Sequence, residues 1–540
     1  MKVLGINAVF HDPAAALVVD GRIVAAAEEE RFNRRKHGKR PVPFSTWELP
    51  QQSARWCLEE GGIDVTQLDA IAYSYDPNLA PSSGDDITAD GWEPLRTLFA
   101  RRAPLFLSAA FPGLDPTKVT FVPHHLAHAA SACMAAPFPS SAVMTIDGRG
   151  ENTSHLAGRW RDGRIEVISE QRLPHSLGLM YEEVTDHLGF LRSSDEYKVM
   201  ALAAYGKPAW LDVMRNIVRT HDGGFHVQPM DWNELAPAAR SEKWSRAHAD
   251  LAASVQARLE EVLLELVSWL HERTGERYLT LAGGVALNCV ANARLFAEGP
   301  FHDIWVQPAS GDAGTALGAA LYIASQHGDR IQPMTSAALG RRWSDDQLEE
   351  WLRRARVGFE RPDDIARAAA EVIAADGTVG WFQGRSEFGP RALGHRSLLA
   401  NPRRAENLAR LNDIKGREQF RPVAPMVLAE RSAEIFEGKL PSPYMLFTHN
   451  VRRGWRERVA AIVHVDGSAR VQTVDRRDEP LVARLLDNVD ELTGVPVVVN
   501  TSLNTASRPM VDDPRDALEC FGSTPLDALA IGPFLVRRAA

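Results

Sequence analysis

The chain has 540 residues, 24% of them charged and 45% hydrophobic, and a formal net charge of −9. That length suits about two to four domains with their own cores, and the acidic balance argues against general nucleic-acid binding. Four widely separated cysteines (Cys57, Cys133, Cys289, Cys520) without a C-x-x-C pair argue against a disulfide framework or a cysteine zinc site.

The opening MKVLGINAVF reads as a first β-strand, residues 3–7, rather than a signal peptide. No apolar run reaches about 18 residues, so no membrane span is expected and a cytoplasmic protein follows. A polar turn, Phe10-His11-Asp12-Pro13, leads to strands over 14–19 and 22–27. Asp20-Gly21 joins them, a pair that favours the hairpin turn with φ > 0 at both positions. The arrangement returns at 142–146, 154–160 and 164–169, with Asp162-Gly163 as the second hairpin turn. Two strand–turn–strand units opening two halves suggest the duplicated fold of actin-like ATPases and sugar kinases. Plain β-meanders also carry Asp-Gly turns.

Between the two units lies HHLAHAASA. His124 and His128 are four apart, so a helix places both rings on one face, where they can share a metal ion. Asp147 ends a strand and Asp312 sits in Ser310-Gly311-Asp312-Ala313-Gly314. Two histidines and two aspartates suit divalent iron, zinc or manganese. Asp147 equally reads as a turn residue before Gly148, and Asp312 as a helix N-cap. A strand over 278–282 runs into Gly283-Gly284. Helices follow over 285–296 and 315–324, the latter built of small residues that allow close packing.

Residues 331–362 read as a connector holding a short charged helix, 345–356. The pattern then restarts with a helix over 364–375 and a strand over 379–382. The basic patch follows: Arg385, Arg391 and Arg396 among glycines, then Lys415, Arg417 and Arg421. Glycines let a ligand approach the backbone, and Arg and Lys suit phosphate oxygens. Asn500-Thr501-Ser502-Leu503-Asn504 follows a strand over 495–499. A solvated basic surface and a plain turn would produce the same residues. No P-loop is present.

The segments FHDPAAALVVDGRIVAAAEEERF, HHLAHAASA, IDGRGE, YKVMALAAYG, LAGGVALN, SGDAG, EFGPRALGHRS, IKGREQFRPVAP and NTSLN together resemble the NodU/tobramycin-carbamoyltransferase family of O-carbamoyltransferases. The resemblance implies an α/β fold. Residues 1–345 would form a duplicated actin-like (ASKHA) domain similar to tRNA threonylcarbamoyl-transferring proteins, and residues 360–540 a YrdC-like α/β domain. It implies that the second domain makes carbamoyladenylate from carbamoyl phosphate and ATP, with magnesium accompanying the ATP. The first domain would then pass the carbamoyl group to a hydroxyl of a small natural-product acceptor, as in antibiotic biosynthesis. It implies metal ligation by His124, His128, Asp147 and Asp312, with iron(II) or another divalent metal. His11 would be the catalytic base, Arg391, Lys415, Arg421, Asn500 and Ser502 would hold carbamoyl phosphate and ATP, and Lys198, Gly148, Gly283 and Gly284 would lie near the intermediate.

No nucleic-acid or membrane partner is expected, and a homodimer is compatible with the sequence. Two other readings use the same residues: a tRNA threonylcarbamoyl-type transferase, and a non-catalytic actin-like regulator that binds ATP. Segments 77–91 and 208–245 are where an acceptor would be met, and neither carries a motif that identifies it.

Overall fold

The computed structural model describes residues 1–38, 48–81, 93–240 and 243–538. They form two compact units, Met1–Met334 and Thr335–Ala540. The division falls earlier than residue 345. The helix Asp345–Arg354, expected within a connector, places Leu348 and Leu352 in the second unit's core. Its apolar stripe needs a core to cover it. Parts of the two expected acceptor segments, 82–91 and 241–242, lie outside the described residues.

In the first unit, β1 (Lys2–Asn7), β2 (Ala14–Val19) and β3 (Arg22–Glu28) form an antiparallel set, and β4 (Ala70–Tyr73) and β5 (Val119–Phe121) extend it in parallel on the other side of β1. The order is β3-β2-β1-β4-β5. A second sheet uses β6 (Ser141–Ile146), β7 (Thr153–Arg161) and β8 (Arg164–Arg172); β9 (Val218–His221) and β10 (Gly224–Val227) pair apart as a hairpin; β11 (Tyr278–Ala282) and β12 (Asp303–Val306) complete it. Its order, β8-β7-β6-β11-β12, repeats the first sheet strand for strand, with the same parallel and antiparallel pairings. This is the duplicated actin-like arrangement. Asp20 and Gly21 have φ of 50° and 74°, and Asp162 and Gly163 φ of 53° and 76°, so both hairpin turns take the form that Asp-Gly favours.

The helix His124–Cys133 follows β5, and the helix Ala313–Gln326 follows β12. These equivalent helices cross with their backbones touching. A Cβ added at Gly318 would lie 1.8 Å from the Ala127 carbonyl oxygen, and one at Gly5 in β1 would lie 1.8 Å from that of Ala316. The small-residue helix is therefore clamped between β1 and the histidine helix. The helix expected over 285–296 is split. A 3-10 turn spans Gly284–Leu287, and Asn288 then caps Cys289–Glu298 through the Ala291 N–H, because an asparagine carbonyl satisfies an orphan donor there.

The second unit is a mixed seven-stranded sheet with helices on both faces. Its strands are β13 (Val379–Phe382), β14 (Arg396–Ala400), β15 (Ala424–Leu428), the small pair β16 (Thr448–Asn450) and β17 (Ser468–Arg470), then β18 (Gln472–Val474), β19 (Val497–Ser502), β20 (Ala528–Ile531) and β21 (Phe534–Arg537). The order is β18-β15-β19-β14-β13-β20-β21. Val497 and Val499 enter one core and Val498 the other, the period-2 alternation of a buried strand. β19 runs to Ser502 rather than ending at 499, so Asn500 and Ser502 are strand residues on one face. Among the described residues no helix is long and apolar enough to cross a membrane.

Gly318→Ala forces the two central helices apart. We expect it to lower stability by about 2 kcal/mol, read as a shifted urea midpoint with unchanged slope. A parental midpoint would show that the helices are not in backbone contact.

Candidate functional site

The histidine helix starts where β5 ends, Asp147 follows β6, and Asp312 stands at the start of the helix after β12. All are at the C-terminal ends of parallel strands, where open α/β sheets place ligands. All four side chains are buried. His124 Nε2 lies 3.4 Å from Asp147 Oδ2 and 3.5 Å from Asp312 Oδ1; His128 Nε2 lies 3.6 Å and 3.5 Å from the same atoms. Donors around a divalent ion at about 2.1 Å stand about 3.4 Å apart at tetrahedral angles. Such separations are long for hydrogen bonds, and neither ring nitrogen of His128 has a hydrogen-bond partner.

Asp312 could have been a plain N-cap, but its side chain makes no capping bond. Burial opposes charge on every member of the set. Even so, the two carboxylates hold the His124 imidazole well above its ordinary range and His128 above it. The imidazoles hold Asp147 well below the usual carboxylate range and Asp312 below it. The cage is thus arranged to gather positive charge, and a divalent cation can replace its protons.

Groups that the sequence did not single out aim the cage. The Ser74 carbonyl, just past β4, is 3.2 Å from His124 Nδ1. A carbonyl only accepts, so Nδ1 carries the hydrogen and Nε2 the lone pair, the arrangement seen around ligating histidines. Glu151 accepts from the His124 N–H at 2.9 Å and the Asp76 N–H at 2.7 Å, fixing where the histidine helix begins. Asp147 Oδ1 accepts from the Gly284 N–H at 2.9 Å, which turns Oδ2 to the imidazoles. The Gly283 N–H donates to the Ser310 carbonyl at 2.8 Å, and its φ of 91° requires glycine. These two glycines, expected beside an intermediate, use their amides to hold the cage. A Cβ at Gly148 would stand 3.0 Å from Glu182 Oε1. The middle histidine of the run, His125, bonds Thr153 Oγ1 at 2.9 Å, and burial pushes its imidazole well below the ordinary range.

His11 sits in the turn after β1, with Nδ1 2.9 Å from Asp12 Oδ2. Buried Asn7 donates to the carbonyls of His11 and Asp12 at 2.8 and 2.9 Å and accepts from the Ser74 hydroxyl at 3.4 Å. One asparagine therefore connects this turn to the residue that orients His124. Lys198, on the helix Glu196–Ala203, pairs with Asp195 at 3.0 Å and lies over the Phe190 ring at 5.5 Å.

In the second unit the arginines divide. The Arg396 guanidinium is fully buried, 3.8 Å over the Phe382 ring, and bonds the carbonyls of Gln383, His395, Arg341 and Gly384. Arg385 bonds the carbonyls of Gly340 and Leu339. Both brace the loop, which corrects their place in the expected ligand patch. Buried Glu387 accepts from the N–H groups of Leu393, His395 and Arg396 at 2.6, 3.0 and 3.3 Å through one oxygen. Asn500 Nδ2 donates to the Ala392 carbonyl at 3.1 Å and to Gln472 at 2.7 Å, and Gln472 donates to the Leu393 carbonyl at 2.8 Å. The loop bearing half-buried Arg391 is therefore rigid. Asn500 Oδ1 is buried without a hydrogen-bond partner.

Lys415, 5% exposed at the end of the helix Glu406–Lys415, reaches the same strand. Its ammonium contacts the Ser502 carbonyl, Ser502 Oγ at 3.2 Å, the Asn504 carbonyl at 3.0 Å and Asn504 Oδ1 at 2.7 Å. These neutral oxygens orient the ammonium. Arg421 pairs with Glu418 at 3.3 Å, and its carbonyl accepts from Asn412 at 3.1 Å, which ties it to the Lys415 helix. Glu151 and Glu387 lay within quoted segments, but nothing local marked their partners.

Comparison with known proteins matches residues 2–81 and 109–321 to the family model "Carbamoyltransferase N-terminus" and residues 370–538 to "Carbamoyltransferase C-terminus". Nodulation protein NolNO of Sinorhizobium fredii is 39% identical over 98% of this chain and 80% of its own. Nodulation protein U of Bradyrhizobium diazoefficiens is 30% identical over 96% and 95%. Among solved structures, HypF of T. kodakarensis covers 61% of this chain and 48% of its own, with 13% identity and a TM-score of 0.34.

The cage predicts about one tightly held divalent metal per chain. His128→Ala and Asp312→Asn should each reduce the bound metal to about a tenth or less, measured by plasma mass spectrometry of the purified proteins. Full content in both variants would contradict the ligand set.

Proposed function

The chain belongs to the carbamoyltransferase family and is a carbamoyl-transferring enzyme. From that premise we propose that it divides ATP-dependent O-carbamoylation between its two units. The observation that carries the reading is one chain holding both a buried two-histidine, two-aspartate cage and a buried lysine among neutral oxygens.

The second unit makes carbamoyladenylate. The bond between carbamoyl and phosphate breaks with uptake of water, releasing phosphate and carbamate. A carbamate oxygen then displaces pyrophosphate from the α-phosphorus of ATP. Every participant is anionic, so bringing them together costs electrostatic energy. Arg391, Lys415 and Arg421 offset that repulsion, and the braced loop and strand hold the charges in place before substrate arrives. Ser502 and Asn500 supply hydroxyl and amide groups beside them. Magnesium would accompany the ATP.

The first unit transfers the carbamoyl group to a hydroxyl of a small acceptor. His11 takes the hydroxyl proton through a ring nitrogen, the hydroxyl oxygen bonds the carbamoyl carbon, and AMP leaves. His124, His128, Asp147 and Asp312 would hold iron(II) or another divalent ion, which would supply Lewis acidity toward the oxygens of the adenylate. Lys198 and the turn at Gly148 lie on the same unit and would border the intermediate. A non-catalytic actin-like regulator would have no use for the Lys415 cluster.

Lys415→Ala should lower pyrophosphate release from ATP plus carbamoyl phosphate by about 100-fold or more, followed with an assay specific for pyrophosphate. Unchanged release would remove the second unit's role. His128→Ala should keep release within about twofold while losing transfer to any member of a panel of hydroxylated natural products, detected by mass. Transfer persisting in the metal-depleted variant would separate the cage from the reaction.

A further inference from the structure

The turn after β1 meets two segments remote in sequence. His11 Nδ1 lies 2.9 Å from one oxygen of Asp12, and His37 Nδ1 lies 2.9 Å from the other. His37 Nε2 continues to the Ser194 hydroxyl at 2.7 Å. The two imidazole centroids are 4.3 Å apart, with ring planes tilted by 42°. A carboxylate accepts only, so both Nδ1 atoms carry hydrogen, and the lone pair of each neutral ring is on Nε2. Ser194 donates to that of His37.

The backbone is adapted to this row. Asp12 has φ of 41°, a left-handed conformation that few non-glycine residues adopt. The two bonds from Asn7 to the His11 and Asp12 carbonyls hold it there. His37, at φ of 59°, is steadied by its own N–H on Glu30 Oε2 at 2.7 Å. Two positive-φ residues, Asp12 and His37, are thus joined through the one carboxylate.

We propose that Asp12 is the positioning residue of the transfer base: one carboxylate oxygen fixes His11 by Nδ1 so that Nε2 faces the acceptor hydroxyl, while His37, anchored by Ser194, holds the other oxygen and stops the carboxylate from rotating. This rests on the reading of His11 as the group that takes the hydroxyl proton. As the acceptor oxygen bonds the carbamoyl carbon, its proton moves to His11 Nε2 and AMP leaves. The anionic Asp12 stabilises the imidazolium that forms. Among the described residues, the charged and titratable groups facing His11 include Asp12, His37 and Glu196; burial and the neighbouring Glu182 push the Glu196 carboxyl up to about 7, with His11 opposing. Hydrogen-bond lengths on both Nδ1 atoms place protons where a second metal ion would need lone pairs.

Asparagine has one acceptor oxygen where the row uses two, so Asp12→Asn releases one imidazole from its tautomer. In the full-length enzyme, carbamoyl transfer to glycerol as a probe alcohol should fall about 100-fold or more. Pyrophosphate release should stay within about twofold of the parent. Loss of the carboxylate lowers the basicity of His11, so the acid limb of the transfer rate should move to lower pH. Asp12→Glu should return the limb toward its parental position, which a packing defect would not do. Nitrogen NMR of histidine-labelled enzyme, with His11 assigned through His11→Gln, should show the Nδ1–H tautomer in the parent and its loss in Asp12→Asn, whether or not glycerol is carbamoylated. Parental transfer in His11→Gln would remove the base reading itself. Loss in His11→Gln alongside a parental rate and acid limb in Asp12→Asn would overturn this proposal alone. A parental His11 carrying its hydrogen on Nε2, a carbamoyl group found on Ser194, or a second metal ion lost with Asp12 would also overturn it.

Discussion

Two helices that touch backbone to backbone at Gly318 and Ala127 set the geometry of the first unit. One carries His124 and His128, and the other begins at Asp312. They occupy equivalent places after the last strands of two sheets with the same order. The cage thus exists only where the halves of the duplicated fold meet. A side chain at the crossing would move imidazoles and carboxylate apart by more than a ligand bond tolerates. Glu151, Ser74 and Gly284 then orient the donors so that they converge.

Such a cage is costly to bury. Two carboxylates and two imidazoles removed from water need a compensating charge, and their spacing is too long for strong hydrogen bonds to provide it. A divalent cation meets that need. The second unit solves the opposite problem. It holds a buried ammonium among neutral oxygens and braces the neighbouring loop through Glu387, Asn500 and Gln472. One unit is arranged to hold a cation and the other anions, as the proposed making and using of a mixed anhydride of carbamate and AMP would require.

Local patterns carried much of this. Alternation and Asp-Gly turns marked the hairpins of both halves, and the spacing of four marked the histidine pair. Asp147 and Asp312 stood out by their places at strand ends, although the join between them lay in the family resemblance. What local pattern could not carry was long-range pairing. His37 meets Ser194 across 157 positions, and no periodicity announces such a contact. Nor does composition separate an arginine that meets a ligand from Arg396, which is sealed over Phe382. Asn500 and Ser502 are expected just past a strand over 495–499, but the register of β19 with β14 extends the strand through both.

The most direct test is an anomalous difference map at the absorption edge of the metal found in active enzyme. The account predicts a single strong peak about 2.0–2.2 Å from His124 Nε2, His128 Nε2, Asp147 Oδ2 and Asp312 Oδ1. Crystals of fully active enzyme with no peak among those four atoms would contradict it.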